Sequence, residues 1–417
     1  MSEPKPDPAE VPQALVDAEV APGRRRSRFA TGTVTVTLLA FLVAMAIGGV
    51  LIAVADPATQ AASKYFFSYP WDTFTEGFKA IGKGYWALFE GAVFNPHTAA
   101  RGTLAGYLGP ISETLTNATP LILGGLSVGV AFRAGLFNIG AQGQIIMGAI
   151  FAGYVGFAWH LPVVLHLLVA IVAGAVGGGL WGGLTGWLKA QTGAHEVITT
   201  IMLNYVAFDL LGYLLSVKWF QAPPYGQAIS KPIDSNAALP PLLGSTLRVH
   251  LGLLLALAAA FVISWLLNRS RLGFRLRAVG ANPFASRTAG MNVQRSYLVV
   301  MLIAGVLSGL AGVCQILGTN TQVTQDIDSG IGFDAITVAL LGRANAGGVV
   351  LAGLLFGALH AGGTQMQSAT GTPIELVQVI QSLIVVFIAA PAVIRAIFRI
   401  RAGGLGVGQE LAKGWNA

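Results

Sequence analysis

Charge is scarce in this chain of 417 residues. Only 10% of the residues are Asp, Glu, Lys or Arg, against roughly 25% in a soluble globular domain. Hydrophobic residues make up 54%, and the mean hydropathy is +0.67. The shortage excludes an ordinary soluble fold and implies a polytopic membrane protein. Cysteine is nearly absent as well: Cys314 stands alone inside an apolar run, which excludes disulfides within the chain and cysteine metal clusters.

Other chemistries fail for want of one residue. The six histidines (97, 160, 166, 195, 250 and 360) form no ligand-spaced pair. His195-Glu196-Val-Ile-Thr199 begins like a zinc-protease helix, but Thr199 stands where the second His is needed. Gly77 to Gly84 approaches a phosphate-binding loop, yet Gly84 replaces the Ser or Thr that holds magnesium, and no buried strand precedes it. No cofactor or metal is therefore expected in this chain, and any ATP chemistry belongs to another.

A net charge of +7 and a pI near 9.6 do not point to nucleic acid, because the basic residues gather at the ends of apolar runs. Membrane topology accounts for them.

What the sequence has in abundance is apolar length. About 20 apolar residues cover roughly 30 Å of hydrocarbon, and such runs lie near 34–55, 107–131, 141–158, 163–188, 197–217, 249–268, 296–318 and 374–394. A glycine-broken hairpin, 332–365, separates the last two. Its first limb, Phe333 to Leu341, is too short to span; Gly342, Gly347 and Gly348 follow before Val349 to Leu359 resumes. It reads as a re-entrant or discontinuous element.

Counting the hairpin as two passes gives an all-α membrane helix bundle of about ten crossings. The expected divisions are a disordered, Pro-rich cytoplasmic tail over 1–30, a first membrane helix with an outer interfacial segment over 31–100, the transmembrane domain over 101–400, and a cytoplasmic tail over 401–417.

The positive-inside bias orients these elements. Arg24, Arg25, Arg26 and Arg28 precede the first helix, and Arg395, Arg399 and Arg401 follow the last, so both termini are expected in the cytoplasm. Arg133, Lys189, Arg343 and six arginines between Arg269 and Arg295 fall on the same side, leaving 56–106, 218–248 and 319–331 outside. The aromatics of 61–94 suit helices lying in the outer interface or a plain aromatic belt against membrane lipid.

Polar residues inside the apolar runs are the candidate site. Asn138, Gln142 and Gln144 stand among Gly135, Gly140 and Gly143, where amides either receive a polar solute or bond helix to helix. Glu196, Thr200 and Asn204 share one helical stripe, with Asp209 on another face. Phe137, Tyr205 and Phe333 offer rings that either stack on a flat solute or pack. The substrate-path candidates are thus Phe137, Asn138, Gln142, Gln144, Asn204, Tyr205, Phe333 and Asp334. A second polar cluster, Asn320, Gln322, Gln325, Asp326 and Asp328, is either a contact for a protein partner or a solvated loop. Within the arginine-rich stretch, Asn282-Pro283 starts a short helix, Ala285, Ser286 and Ala289 permit close docking, and Gly290 ends it.

Three stretches in order, Gly135-Leu-Phe-Asn-Ile-Gly-Ala-Gln-Gly-Gln144, His195-Glu-Val-Ile-Thr-Thr-Ile-Met-Leu-Asn-Tyr205 and Gly332-Phe-Asp-Ala-Ile-Thr-Val-Ala-Leu-Leu-Gly-Arg343, resemble the permease subunits of bacterial ABC importers. Within these, the chain resembles the nucleoside and simple-sugar branch, related to ribose and branched-chain amino-acid permeases, over about residues 100–400. The resemblance implies a multi-pass subunit of the bacterial plasma (inner) membrane that is not itself an enzyme. It also implies a second homologous permease in a heterodimer, an ABC ATPase carrying ATP and Mg, and an extracytoplasmic substrate-binding lipoprotein. The segment 277–291 resembles the helix that seats in the ATPase, which assigns coupling to Arg277, Gly280, Asn282, Pro283, Arg287, Ala289 and Gly290. The implied cargo is a nucleoside, with ribose or another simple sugar as the alternative. One departure stands out: Gln142 occupies a position where relatives usually carry Glu. An ion-coupled secondary transporter is the alternative of another class; it would place ionisable groups deep in the spans, where only Asp209 and Glu196 are candidates.

Overall fold

The computed structural model describes residues 33–399. The tails expected over 1–30 and 401–417 lie outside the described residues, as do Arg24, Arg25, Arg26, Arg28 and Arg401. In chain order the helices are α1 (Thr33–Ala55), α2 (Pro57–Ser63), α3 (Pro70–Ala92), α4 (Pro96–Ala99), α5 (Leu104–Arg133), α6 (Ala141–Ala158), α7 (Val163–Thr192) and α8 (Glu196–Ser216). They continue with α9 (Gly252–Arg269), α10 (Arg271–Ala281), α11 (Pro283–Thr288), α12 (Val293–Cys314), α13 (Ile331–Leu341), α14 (Ala346–Thr370), α15 (Glu375–Ala389) and α16 (Pro391–Ile397).

Among the described residues, eight helices are long and apolar enough to cross a bilayer, or nine if α15 and α16, bent by 88°, form one span. The chain is therefore a multi-pass helix bundle. The count of eight or nine against about ten turns on the hairpin, whose first limb is the short, 11-residue α13 expected of a re-entrant or discontinuous element, followed by the full 25-residue α14. At 1.5 Å per residue α13 covers about half the hydrocarbon thickness.

Small residues decide how the helices meet. Gly174, Gly178, Gly182 and Gly186 recur every fourth residue along one face of α7; the first three meet Gly305 and Gly309 of α12, and Gly186 meets Leu298 and Met301. A Cβ on Gly178 would stand 2.5 Å from Gly309 Cα, and one on Gly182 2.9 Å from Gly305 Cα. Backbones approach this closely only where side chains are missing. In the same way Gly353 of α14 lies over Ile122 of α5, and Gly357 over Ala118.

The segment after α1 differs from a helix lying flat at the interface. Helix α3 runs antiparallel to α1 and α14: Gly77 faces Ala53, Gly84 faces Ile52 and Met366, and Gly91 faces Ala361 and Gly362. The Tyr85 hydroxyl donates to the Met45 carbonyl. The cause is a stripe of small residues, Gly77, Ala80, Gly84, Ala87 and Gly91, at helical spacing; the near-match to a phosphate loop was part of this packing face.

The bundle has two unlike ends. At one, Arg133 Nε donates to Ala344 O at 2.9 Å, Lys189 lies 5.9 Å over the Tyr297 ring, and α10 sits against the α5–α6 turn, with α11 packed on α10 and α12. At the other, the excursions 218–250 and 319–330 lock together through Ser230 N to Val323 O (2.9 Å) and Ile233 N to Thr321 O (2.9 Å).

Candidate functional site

The break between α5 and α6 is held by side-chain amides. Gly135 takes φ +72, which turns the chain out of α5. Asn138 and Gln144 then form a reciprocal amide pair, Nδ2 to Oε1 at 2.9 Å and Nε2 to Oδ1 at 3.0 Å. Asn138 also donates to Ser127 Oγ at 3.1 Å, which in turn accepts from Ser308 at 2.9 Å. From α8, Asn204 accepts from Gly143 N at 2.9 Å and donates to Ile139 O at 3.0 Å. It thereby satisfies an orphan N–H in the first turn of α6.

The path candidates separate on this geometry. Asn138 and Gln144 are 0% and 1% exposed, so they bond helix to helix and touch no solute in this conformation. Asn204 joins the same framework. Tyr205, its neighbour, points away at 65% exposure and shares α8's open face with Met202 and Asp209. Phe137 packs edge-on against Phe132, centroids 5.3 Å apart.

Gln142 leaves the framework and meets α13, whose Gly332 lacks the side chain that would overlap it. Gln142 also lies close to Asp328, a buried carboxylate whose Oδ2 has no partner. Burial, with help from the Asp326 charge, pushes the Asp328 carboxyl up to about 6.

Beside this contact, between α13, α14 and α15, lies a cavity of about 250 Å³. Phe333 opens toward it and Asp334 lines it, with His360 Nε2 at 2.9 Å from Asp334 Oδ2. Gln378, Gln381 and Ser382 of α15 complete the polar wall. Sequence reading missed His360 and the α15 residues. Their only local signal was Gln378 and Gln381, three apart in an otherwise apolar run; the pairing of Asp334 with His360 spans 26 positions.

At the arginine end, α10 and α11 form a protruding knob. Asn282 accepts from Ala285 N at 2.9 Å with Pro283 at the first helical position, and Gly290 ends the turn at φ +78. Arg277, Arg287, Ala289 and Gly290 are exposed, as is Phe284 at 80%, while Ser286 is buried. Gly280 alone of the group faces inward, against the α5–α6 turn. Phe284, an exposed apolar side chain three residues before Arg287, carries no signal in the sequence that marks it. Among the described residues no group of His, Cys, Asp and Glu is placed to hold a metal ion.

Comparison with known proteins agrees with this architecture. The model of the branched-chain amino acid transport system permease component matches residues 111–389. A guanosine ABC transporter permease of Bacillus subtilis is 39% identical over 317 residues, 76% of this chain and 88% of that protein. A glucose ABC transporter permease of Haloferax volcanii is 38% identical over 299 residues, covering 69% and 77%. A nucleoside ABC transporter permease of Lactococcus lactis is 35% identical over 292 residues, covering 68% and 80%. No solved structure matches.

Proposed function

The chain belongs to the family of the branched-chain amino acid transport system permease component, and on that footing we propose that this ABC importer permease carries nucleosides across the bacterial plasma membrane. The observation that carries the substrate class is the 39% identity to a guanosine permease over 88% of its length, together with 35% to a nucleoside permease. A simple sugar is the second reading, favoured by the 38% identity to a glucose permease.

In this reading ATP and Mg are held by a separate ATPase that seats on the α10–α11 knob, whose exposed Arg277, Arg287 and Phe284 suit a protein groove. The knob end is then cytoplasmic by the positive-inside bias, and the excursions at the other end receive an extracytoplasmic binding lipoprotein. A second permease subunit covers the open face of α8, because a carboxylate such as Asp209 in a spanning helix costs about 2.5–3.5 kcal/mol when it meets lipid. Motion at the knob passes through Gly280 to the α5–α6 turn and along α6 to Gln142, which touches Gly332 of α13, next to the cavity-lining Phe333. The amide framework of Asn138, Gln144 and Asn204 makes the start of α6 move as a unit.

The test is competition. Cells lacking the chain, and cells expressing it with its partners, are assayed for labelled guanosine uptake against unlabelled adenosine, uridine, ribose and glucose. The nucleosides are expected to compete. Competition by glucose or ribose alone overturns the nucleoside assignment.

A further inference from the structure

Resting on the reading of the chain as a nucleoside or simple-sugar permease, we propose that the cavity between α13, α14 and α15 is a solute-holding subsite for the vicinal hydroxyls of a ribose ring. Asp334 is the acceptor in this subsite and Gln381 the donor.

Three observations converge. Asp334 Oδ2 is tied to His360 Nε2 at 2.9 Å, which fixes the carboxylate while Oδ1 has no protein partner among the described residues. A carboxylate held this way accepts from two adjacent hydroxyls, and hydrogen bonds to a charged group are the stronger kind. Gln381 is only 3% exposed, yet its Nε2 lacks a hydrogen-bond partner although the residue lines the cavity. A buried amide N–H left unpaired is costly, and a sugar oxygen would satisfy it. Phe333 and Phe356 add apolar walls suited to the carbon face of a furanose.

The lining also says what is refused. No Lys or Arg borders the cavity, and a carboxylate faces it, so phosphorylated sugars and nucleotides are disfavoured against neutral ribosides. Its volume of about 250 Å³ lies just under the roughly 300–1,000 Å³ of pockets for drug-sized ligands. The same chemistry fits a ribonucleoside or free ribose.

The experiment uses the permease assembled with its ATPase and binding protein in proteoliposomes, with guanosine, 2′-deoxyguanosine and D-ribose as probes. Whatever selectivity the binding protein contributes is common to all variants, so the change in the guanosine-to-deoxyguanosine uptake ratio reports on the permease. Asp334→Asn and Gln381→Leu are expected to reduce that ratio about tenfold; an unchanged ratio in both overturns the subsite.

A second readout needs no transport by those variants. Ser382→Cys places a thiol at the cavity, while the native Cys314 is fully buried and silent to maleimide. Guanosine is expected to slow labelling and 2′-deoxyguanosine to leave it unchanged. Protection by D-ribose as well identifies the sugar as sufficient. Equal labelling rates with all three probes overturn the subsite, whereas wild-type complexes that import none of them overturn the cargo assignment instead.

Discussion

Gly280 of α10 and Gly135 of the α5–α6 turn meet backbone to backbone. A Cβ on Gly135 would stand 3.0 Å from Gly280 Cα, and one on Gly280 would stand 2.7 Å from Ala134 C and 2.8 Å from Gly135 N. The knob at the arginine end thus bears directly on the turn that opens α6. Arg133, two residues before Gly135, donates to Ala344 O and ties the α13–α14 turn to the same place. Arg343 and Ala344 hold φ +53 and +49 there, a region non-glycine residues seldom adopt, so the latch has a strained turn to restrain.

Gly280→Leu is expected to force these backbones apart, at an overpacking cost of about 1–3 kcal/mol. The protein should remain in the membrane while ATP-driven uptake falls at least tenfold. Paired assays of uptake and ATP hydrolysis check this; uptake at the wild-type rate per ATP rules out transmission through the contact.

Asn204→Ala removes both bonds that α8 makes to the start of α6 and leaves Gly143 N and Ile139 O unpaired in the core. The expected loss is about 1–3 kcal/mol per stranded group. Thermal unfolding in detergent is expected to shift downward, and Asn138→Leu to do the same by breaking the amide pair. No change in either variant would mean that water replaces these bonds.

Asp328 supplies a pH dependence whose sign is fixed by burial. Its folded pKa is raised to about 6 from an ordinary 3.8, so the folded state holds this proton more tightly than the unfolded chain does. The associated stability is fully present below about pH 4 and is lost as pH rises through about 6, with an upper bound of about 3 kcal/mol. Asp328→Asn is expected to flatten the melting temperature between about pH 4 and about pH 6, the window between the two values. The same slope in the variant would assign it to another group.

Gly178→Leu inserts a branched side chain where α7 and α12 leave no room. The variant is expected to be degraded or to unfold on extraction, as seen by membrane abundance and size-exclusion profile. A stable, monodisperse Gly178→Leu protein would show that the seam can open without cost.

Most of the spanning helices were legible because apolar length is a local property. The run at 141–158 matches α6, and 197–217 matches α8 within a residue. Helix α3 was harder: Asp72, Glu76, Lys79, Lys83 and Glu90 mask its apolarity, and only the spacing of its glycines and alanines marks the face that packs. The glycines of the α13–α14 hairpin mark it as broken, but its unequal limbs depend on how far α14 extends beyond Leu359, where Thr364, Gln365 and Gln367 dilute the hydropathy.

The site was legible in part. Gly135, Gly140 and Gly143 announce a break in the helix, and the amides around it stand out in an apolar run. Whether they face solute or protein is decided by partners 11 and 181 positions distant, Ser127 for Asn138 and Ser308 for Ser127. No sequence spacing encodes such contacts. The Asp334–His360 pair is likewise tertiary: Asp334 stands out as the one charged residue of α13, but its partner 26 positions away is set by how α13 packs against α14.

The central claim is that an ATP-driven motor acting on the α10–α11 knob moves solute through this chain. The direct test is guanosine uptake into vesicles carrying the assembled complex, with vanadate or an ionophore added separately. The account predicts uptake that requires ATP, stops with vanadate and survives the ionophore; uptake that ignores vanadate and collapses with the ionophore would contradict it.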